Sequence, residues 1–144
     1  MIGQAATEAG TGTGGERREG AAGAPPTISP AIRSTPVPVG CIYVVEAEGL
    51  GLVKIGMAVD VAARMRSLQN MSPARLIVLA AFYAECATVA ECALHQRFRA
   101  DRRHGEWFAA TPEITDWAWH DSPTGQAHRK RAQAAADAVW KRRG

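Results

Sequence analysis

The apolar positions fall into a few blocks, and the first organises the rest. From Cys41 to Gly56 the chain reads CIYVVEAEGLGLVKIG: Ile42, Val44 and Ala47 precede a glycine-rich corner at Gly49 and Gly51, and Leu52, Val53 and Ile55 follow it. β-Branched residues on two arms joined by glycine predict an antiparallel hairpin. Each arm carries one large polar side chain among apolar neighbours, Tyr43 on the first and Lys54 on the second. Strand pairing brings these two near each other on one sheet.

Downstream, Asp60 is placed to cap a helix running to about Asn70, with Val61, Met65 and Leu68 at helical spacing. Arg64 lies beside that stripe, and Arg66 points elsewhere. Ser72 and Pro73 end the helix, and Leu76 to Tyr83, apolar on both faces, predicts a central strand. A second helix over about Thr88–Arg99 takes its core face from Cys86, Ala90, Leu94 and Phe98, which repeat every four residues. Glu91 and His95 stand one turn apart at the edge of that face, where helix side chains can line a cleft. His104–Phe108 reads as a short extended segment. Thr111-Pro112 opens a short helix with proline at its first position, anchored by Trp117 and Trp119. From Asp121 onward an Ala-, Arg- and Lys-rich stretch is either a surface helix or a fraying basic tail.

This order predicts an α+β domain over residues 40–120, a small three-stranded antiparallel sheet flanked by helices. Residues 1–39, rich in Gly, Ala, Thr and Pro, bury too little apolar surface to offset their ordering entropy and predict a disordered tail. Residues 121–144 form the third segment.

Composition adds limits. A chain of 144 residues with 47% hydrophobic and 22% charged content suits one modest domain with tails. The formal net charge of +3 is small, and its excess sits in residues 121–144, where six Lys/Arg face two Asp. That favours a polyanion contact from outside the core or an unliganded solvated tail, with nothing to choose between them. Cys41, Cys86 and Cys92 are odd in number and lack zinc-type spacing, so they read as reduced core thiols of a cytoplasmic protein. The longest apolar run, Leu76 to Ala84, falls short of the ~20 residues of a membrane span, and the N-terminus lacks an apolar signal core. No membrane partner is expected, and no protein partner is inferable.

The motifs Cys41-Ile-Tyr43 and Lys54-Ile-Gly56 resemble the signature of the GIY-YIG nuclease superfamily. Lysine in place of the second tyrosine is closer to one branch, the bacteriophage T-five open-reading-frame DNA-binding family. Glu91-Cys-Ala-Leu94-His95 and Gly105-Glu-Trp-Phe108 are similar to two further marks of that branch, and the match covers roughly Cys41 to Phe108. Cys41 stands where the superfamily has glycine, Leu68 where many active members carry His or Tyr, and no late asparagine matches the one that supports the site.

The resemblance implies a DNA partner and a divalent-metal-dependent endonuclease that hydrolyses phosphodiesters; the alternative is a non-catalytic DNA-binding module on the same fold. It implies Tyr43 as general base, Arg64 as the cation facing the phosphate, and Glu91 as the single carboxylate for one Mg²⁺ or Mn²⁺ ion, with His95 beside it in the catalytic set. Lys54 then lowers the Tyr43 pKa or meets phosphate as a point charge. Arg66, Arg97, Arg99, Arg102 and Arg103 are the expected DNA contacts. Glu106 either pairs with Arg102 and Arg103 or belongs to the site. Trp107, Trp117 and Trp119 read as core rather than as base-stacking platforms.

Overall fold

The computed structural model describes residues 39–144; of the segment read as a disordered tail, residues 1–39, all but the last lie outside the described residues. The expected hairpin forms from β1 (Gly40–Ala47) and β2 (Leu52–Ala58). Its corner needs Gly49 and Gly51, whose φ values of 80° and 67° lie in the left-handed region that side chains resist. Helix α1 (Val61–Met71) follows, its first turn capped by the Asp60 carboxylate, which accepts from the Ala63 N–H at 3.0 Å. Then come β3 (Leu76–Ala84), α2 (Ala87–Arg97), a 3₁₀ turn (Arg99–Asp101), β4 (Arg102–His104) and β5 (Trp107–Ala109). The chain continues through α3 (Pro112–Asp116), a π-helical turn (Trp117–Asp121) and α4 (Gln126–Arg143).

The sheet has five antiparallel strands in the order β3-β1-β2-β5-β4, not three. The expected single extended piece at His104–Phe108 is the turn of a second hairpin. The chain reverses at Gly105 (φ 56°), so that Arg102 faces Phe108 and His104 faces Trp107. Each of these strands is three residues long, too short for an alternating pattern to show.

β3 lies at the edge of the sheet, not at its centre. It is apolar on both faces because both faces are covered. Val78 and Ala81 join Cys41, Tyr43, Val45, Val61 and Met65 under α1 and α4, and Leu79, Ala80 and Phe82 join Ile42, Val44, Ile55, Phe98 and Phe108 on the opposite face. Its open edge is finished by α4. The Gln133 carboxamide accepts from the Val78 N–H at 2.7 Å and donates to the Leu76 carbonyl at 3.1 Å. Arg129 Nη1 donates to the Leu79 carbonyl at 3.3 Å, and the Gly125 N–H to Ala81 at 2.8 Å. Side chains thus stand in for a further strand, which blunts an edge that would otherwise template aggregation.

The stretch after Asp121 is therefore a packed helix rather than a tail. Ala132, Ala135, Ala136 and Val139 are buried, and these small side chains let α4 approach α1 and β3 closely. Trp117 is buried as expected, but Trp119 is half exposed and carries Arg129 over its ring at 4.4 Å. Of the cysteines only Cys41 is fully buried, and Cys92 is exposed.

The buried stripe of α1 is Val61, Met65 and Gln69. Gln69 takes an inward position because both ends of its amide are used: Nε2 donates to the Ala74 carbonyl at 2.9 Å, and Oε1 accepts from the Leu76 N–H at 2.8 Å. It fixes the turn from α1 into β3. Gln69→Met keeps the volume and strands the Leu76 N–H, a buried unpaired group costing about 1–3 kcal/mol, while the Ala74 carbonyl keeps the Ser72 hydroxyl at 2.8 Å. The expected outcome is a loss of about 1–3 kcal/mol in urea unfolding, seen as a lower midpoint at unchanged slope.

Candidate functional site

Strand register places the first two residues. Tyr43 lies opposite Gly56, and Val45 lies opposite Lys54. Tyr43, Lys54 and Gly56 therefore share one face of the hairpin, with Tyr43 and Lys54 on the diagonal where long side chains reach each other. Gly56 is there because the tyrosine ring occupies the space above it. A Cβ at this position would meet the Tyr43 hydroxyl and stand 2.6 Å from Cζ.

The remaining residues arrive where the sheet opens. β5 pairs with β2 only over Leu52–Lys54, so β2 runs on past its neighbour. The freed backbone is satisfied from two directions. The Ile55 N–H donates to the Glu106 carbonyl at 3.1 Å, and the Ile55 carbonyl accepts from His95 Nε2–H at 2.9 Å. The first bond ties down the turn between β4 and β5, and the second ties down α2. With α2 in place, Glu91 projects into the gap one turn before His95, while α1 brings Arg64 and Leu68. Tyr43, Lys54, Met57, Arg64, Leu68, Glu91 and Glu106 together line a cavity of about 260 Å³.

Charge is distributed unevenly around it. Lys54 Nζ lies 2.5 Å from Glu106 Oε2, so the lysine is committed to an ion pair. Burial is the main reason that the Tyr43 phenol is pushed up to about 12; Arg64 opposes this, and Glu106 and Glu91 add to it. The expected lowering of this pKa by Lys54 is not what the surroundings produce. Burial also raises the Glu91 carboxyl, helped by the nearby charge of Glu106 and countered in part by His95 and Lys54. Glu91 thus faces the cavity as a largely buried carboxylate, with the imidazole nitrogen His95 Nε2 4.0 Å away. Among the described residues no three His, Cys, Asp or Glu side chains gather as a metal cluster.

Five of the sequence-derived residues, Tyr43, Lys54, Arg64, Glu91 and Glu106, meet in one place. His95 sits behind Glu91, hydrogen-bonded to β2 and 5.3 Å from the Phe108 ring, outside the cavity lining. Glu106 pairs with Lys54 rather than with Arg102 or Arg103. Arg102 Nε instead donates to the Gly105 carbonyl at 2.6 Å, closing the β4–β5 turn. Arg97 lies over the rings of Phe98 and Trp117 at 5.0 and 5.3 Å, and Arg66 and Arg99 are exposed away from the cavity. Arg103 lines a neighbouring groove. Met57 and the Lys54–Glu106 pair went unread in the sequence, while Leu68, read there in the helix stripe and at the position where many active members carry His or Tyr, does line the cavity. The register of Lys54 with Trp107, next to Glu106, would have announced the pair had the second hairpin been legible.

Gly56→Ala is expected to cost about 1–3 kcal/mol, the range for overpacking a filled site. Combined with Tyr43→Leu it should cost less than the two single losses added together, because the clash is shared; additive losses in urea unfolding would show that the tyrosine is not what excludes the side chain. Glu91 gives a pH test. Its native carboxyl titrates above the ordinary 4.5, so the protonated form is favoured by folding. The stability this contributes is complete below pH 4.5 and is lost as pH rises through the native value. Glu91→Gln should therefore melt above the wild type at neutral pH, with the difference closing as pH falls to 4.5 and below.

No curated protein and no solved structure gives a match to this chain. One family model, described as the T5orf172 domain, matches residues 40–119, from the first residue of β1 to the π-helical turn. That span is more than half of the chain and contains every residue that lines the cavity, so this protein belongs to the T5orf172 domain family.

Proposed function

We propose that this is a GIY-YIG-type DNA-binding protein and that its cavity is the phosphodiester site of a divalent-metal-dependent endonuclease. One observation carries the reading. Tyr43, Lys54, Arg64, Glu91 and Glu106 come from β1, β2, α1, α2 and the β4–β5 turn, and they converge on a single polar cavity. Residues so far apart in sequence are seldom gathered for packing alone, and a base, a cation and a carboxylate are what phosphodiester hydrolysis needs.

Lys54 is neutralised by Glu106, so Arg64, exposed at the mouth, is the cation left to bind the phosphoryl oxygens. Glu91 fits a hard cation: it is a largely buried carboxylate beside a second one, no nitrogen among the described residues pairs with it closer than His95 at 4.0 Å, and the open cavity leaves room for water and phosphate ligands. A Mg²⁺ or Mn²⁺ ion held there would polarise the phosphoryl group and stabilise the leaving alkoxide. Tyr43 orients the attacking water; as the phenolate it takes that water's proton while the new P–O bond forms and the P–O bond to the leaving alkoxide breaks, and it ends as the neutral phenol.

A second reading has its own support. With a phenol titrating near 12, only about one molecule in 10⁵ carries ionised Tyr43 at pH 7, a poor general base in the resting state. The runner-up is therefore a DNA-binding module in which the cavity grips a phosphate without cleaving it.

Nicking of supercoiled plasmid separates the two. The nuclease reading expects nicking that requires Mg²⁺ or Mn²⁺, stops with chelator, and falls by about 10²–10³-fold in Tyr43→Phe, Arg64→Ala and Glu91→Ala. A folded wild type that binds DNA with a steep salt dependence but leaves the plasmid intact supports the binding module. Absence of DNA affinity even at low salt removes both.

A further inference from the structure

A second opening adjoins the cavity. It encloses about 500 Å³ and is lined chiefly by Leu50, Leu52, Leu68, Met71 and Trp107, with Arg103 and His104 at its rim. Lys54 and Leu68 line both spaces, so the groove and the polar cavity share a wall. We propose that this groove receives an unstacked nucleobase, and that the site therefore takes DNA with an unpaired nucleotide in preference to fully paired duplex. The proposal rests on the phosphodiester reading of the cavity and names the substrate that reading leaves open.

Five observations lead there. The volume falls in the range of about 300–1,000 Å³ typical of sites for organic ligands, enough for a base and its sugar. The shared wall lets one nucleotide span the two spaces, its phosphate near Arg64 and its base beyond Lys54. Trp107 supplies an aromatic surface, and Lys54 Nζ lies 5.6 Å from its ring centroid, an arrangement that suits a base because every base offers a π-face. The ionisable residues of the lining are Lys54, Arg103 and His104, with no carboxylate among them. An apolar floor beside the Arg103 guanidinium complements a base tethered to a phosphate chain. Leu50 and Met71 line the groove and remain 53% and 72% exposed.

The preference for unpaired DNA follows from geometry. In a duplex the base faces are stacked inside and the phosphates lie outside. An apolar pocket beside a phosphate site can meet a base face only after that nucleotide has left the stack. A flap, bulge or gap has already left it and avoids the penalty.

The test is fluorescence anisotropy on the full chain with three labelled DNAs of one sequence: a paired duplex, the duplex with a single unpaired thymidine flap, and the same flap with an abasic residue. The wild type is expected to bind the thymidine flap about 5- to 100-fold tighter than the paired duplex, the range that stacking of one base provides, and the abasic flap should lose that margin. Leu50→Ser combined with Met71→Ser, both at exposed positions, should reduce the margin while paired-duplex affinity stays within about twofold. Trp107→Phe, which keeps a ring, should retain most of it.

Equal affinity for all three DNAs overturns the base subsite and leaves DNA binding standing. A margin unchanged in the Leu50/Met71 variant places the base elsewhere and also overturns it. No binding to any of the three removes the subsite together with the reading beneath it. If sedimentation shows instead that the variant abolishes self-association without affecting DNA preference, the groove is a contact between copies and the inference fails.

Discussion

The site depends on a side chain that is missing. Tyr43 can lie across β2 because Gly56, its register partner, offers no Cβ to meet the ring. This vacancy sets the depth of the phenol, and depth sets its chemistry, since burial is the largest cause of the high Tyr43 pKa. It also sets the neighbours: two positions back along β2, Lys54 occupies the diagonal and reaches past the ring to Glu106. Tyrosine, glycine and lysine are therefore one packing unit, and the two short motifs that flank the hairpin are its two halves.

A cavity beside that unit exists because β5 stops early. Where a full-length strand would have paired with β2, the backbone of Ile55 is bonded instead to the turn before β5 and to His95 of α2. Two elements that need not have met are thereby drawn to the same residue, one carrying Glu106 and the other Glu91. The charges then sort themselves by distance. Glu106 takes Lys54, which leaves Glu91 and Arg64 as the charged groups without a close partner on the cavity wall. A molecule bringing both an anionic oxygen and a cation satisfies both at once; a simple anion or a simple cation satisfies one.

The first hairpin, α1 with its Asp60 cap, and the short helix opened by Pro112 were legible because each rests on a local rule of periodicity, capping or turn chemistry. The second hairpin was not, since two three-residue strands carry no period and the reversal at Gly105 looks like any glycine. Two-sided apolar character in Leu76–Ala84 signals that both faces are covered; it does not say whether the strand has one neighbour or two, and here α4 side chains replace the second. Tyr43, Arg64 and Glu91 could be named in advance from their motifs. Their meeting could not, because it needs a register and an early strand end, neither of which is local. The same holds for the arginines: Arg97 and Arg102 look like surface charge in sequence but are engaged with rings and a turn.

Helix α4 shows why composition alone misplaces function. It lies beyond the residues matched to the family model, 40–119, yet it finishes the open edge of β3, and Arg143 at its far end donates to the Ser72 and Asn70 carbonyls. The basic excess of the chain is carried on this helix, and its inner face is alanine and valine. Its exposed cations are thus fixed in space. Lys130 and Arg131 stand eleven residues before Lys141 and Arg142, about 16 Å along a helix axis. A tail with the same charge would have to lose conformational freedom to follow a polyanion; a packed helix lost that freedom when the domain folded. Whatever attraction these charges exert therefore acts at a set spacing and from a set direction, and the same side-chain array that protects β3 from another strand determines where that attraction points.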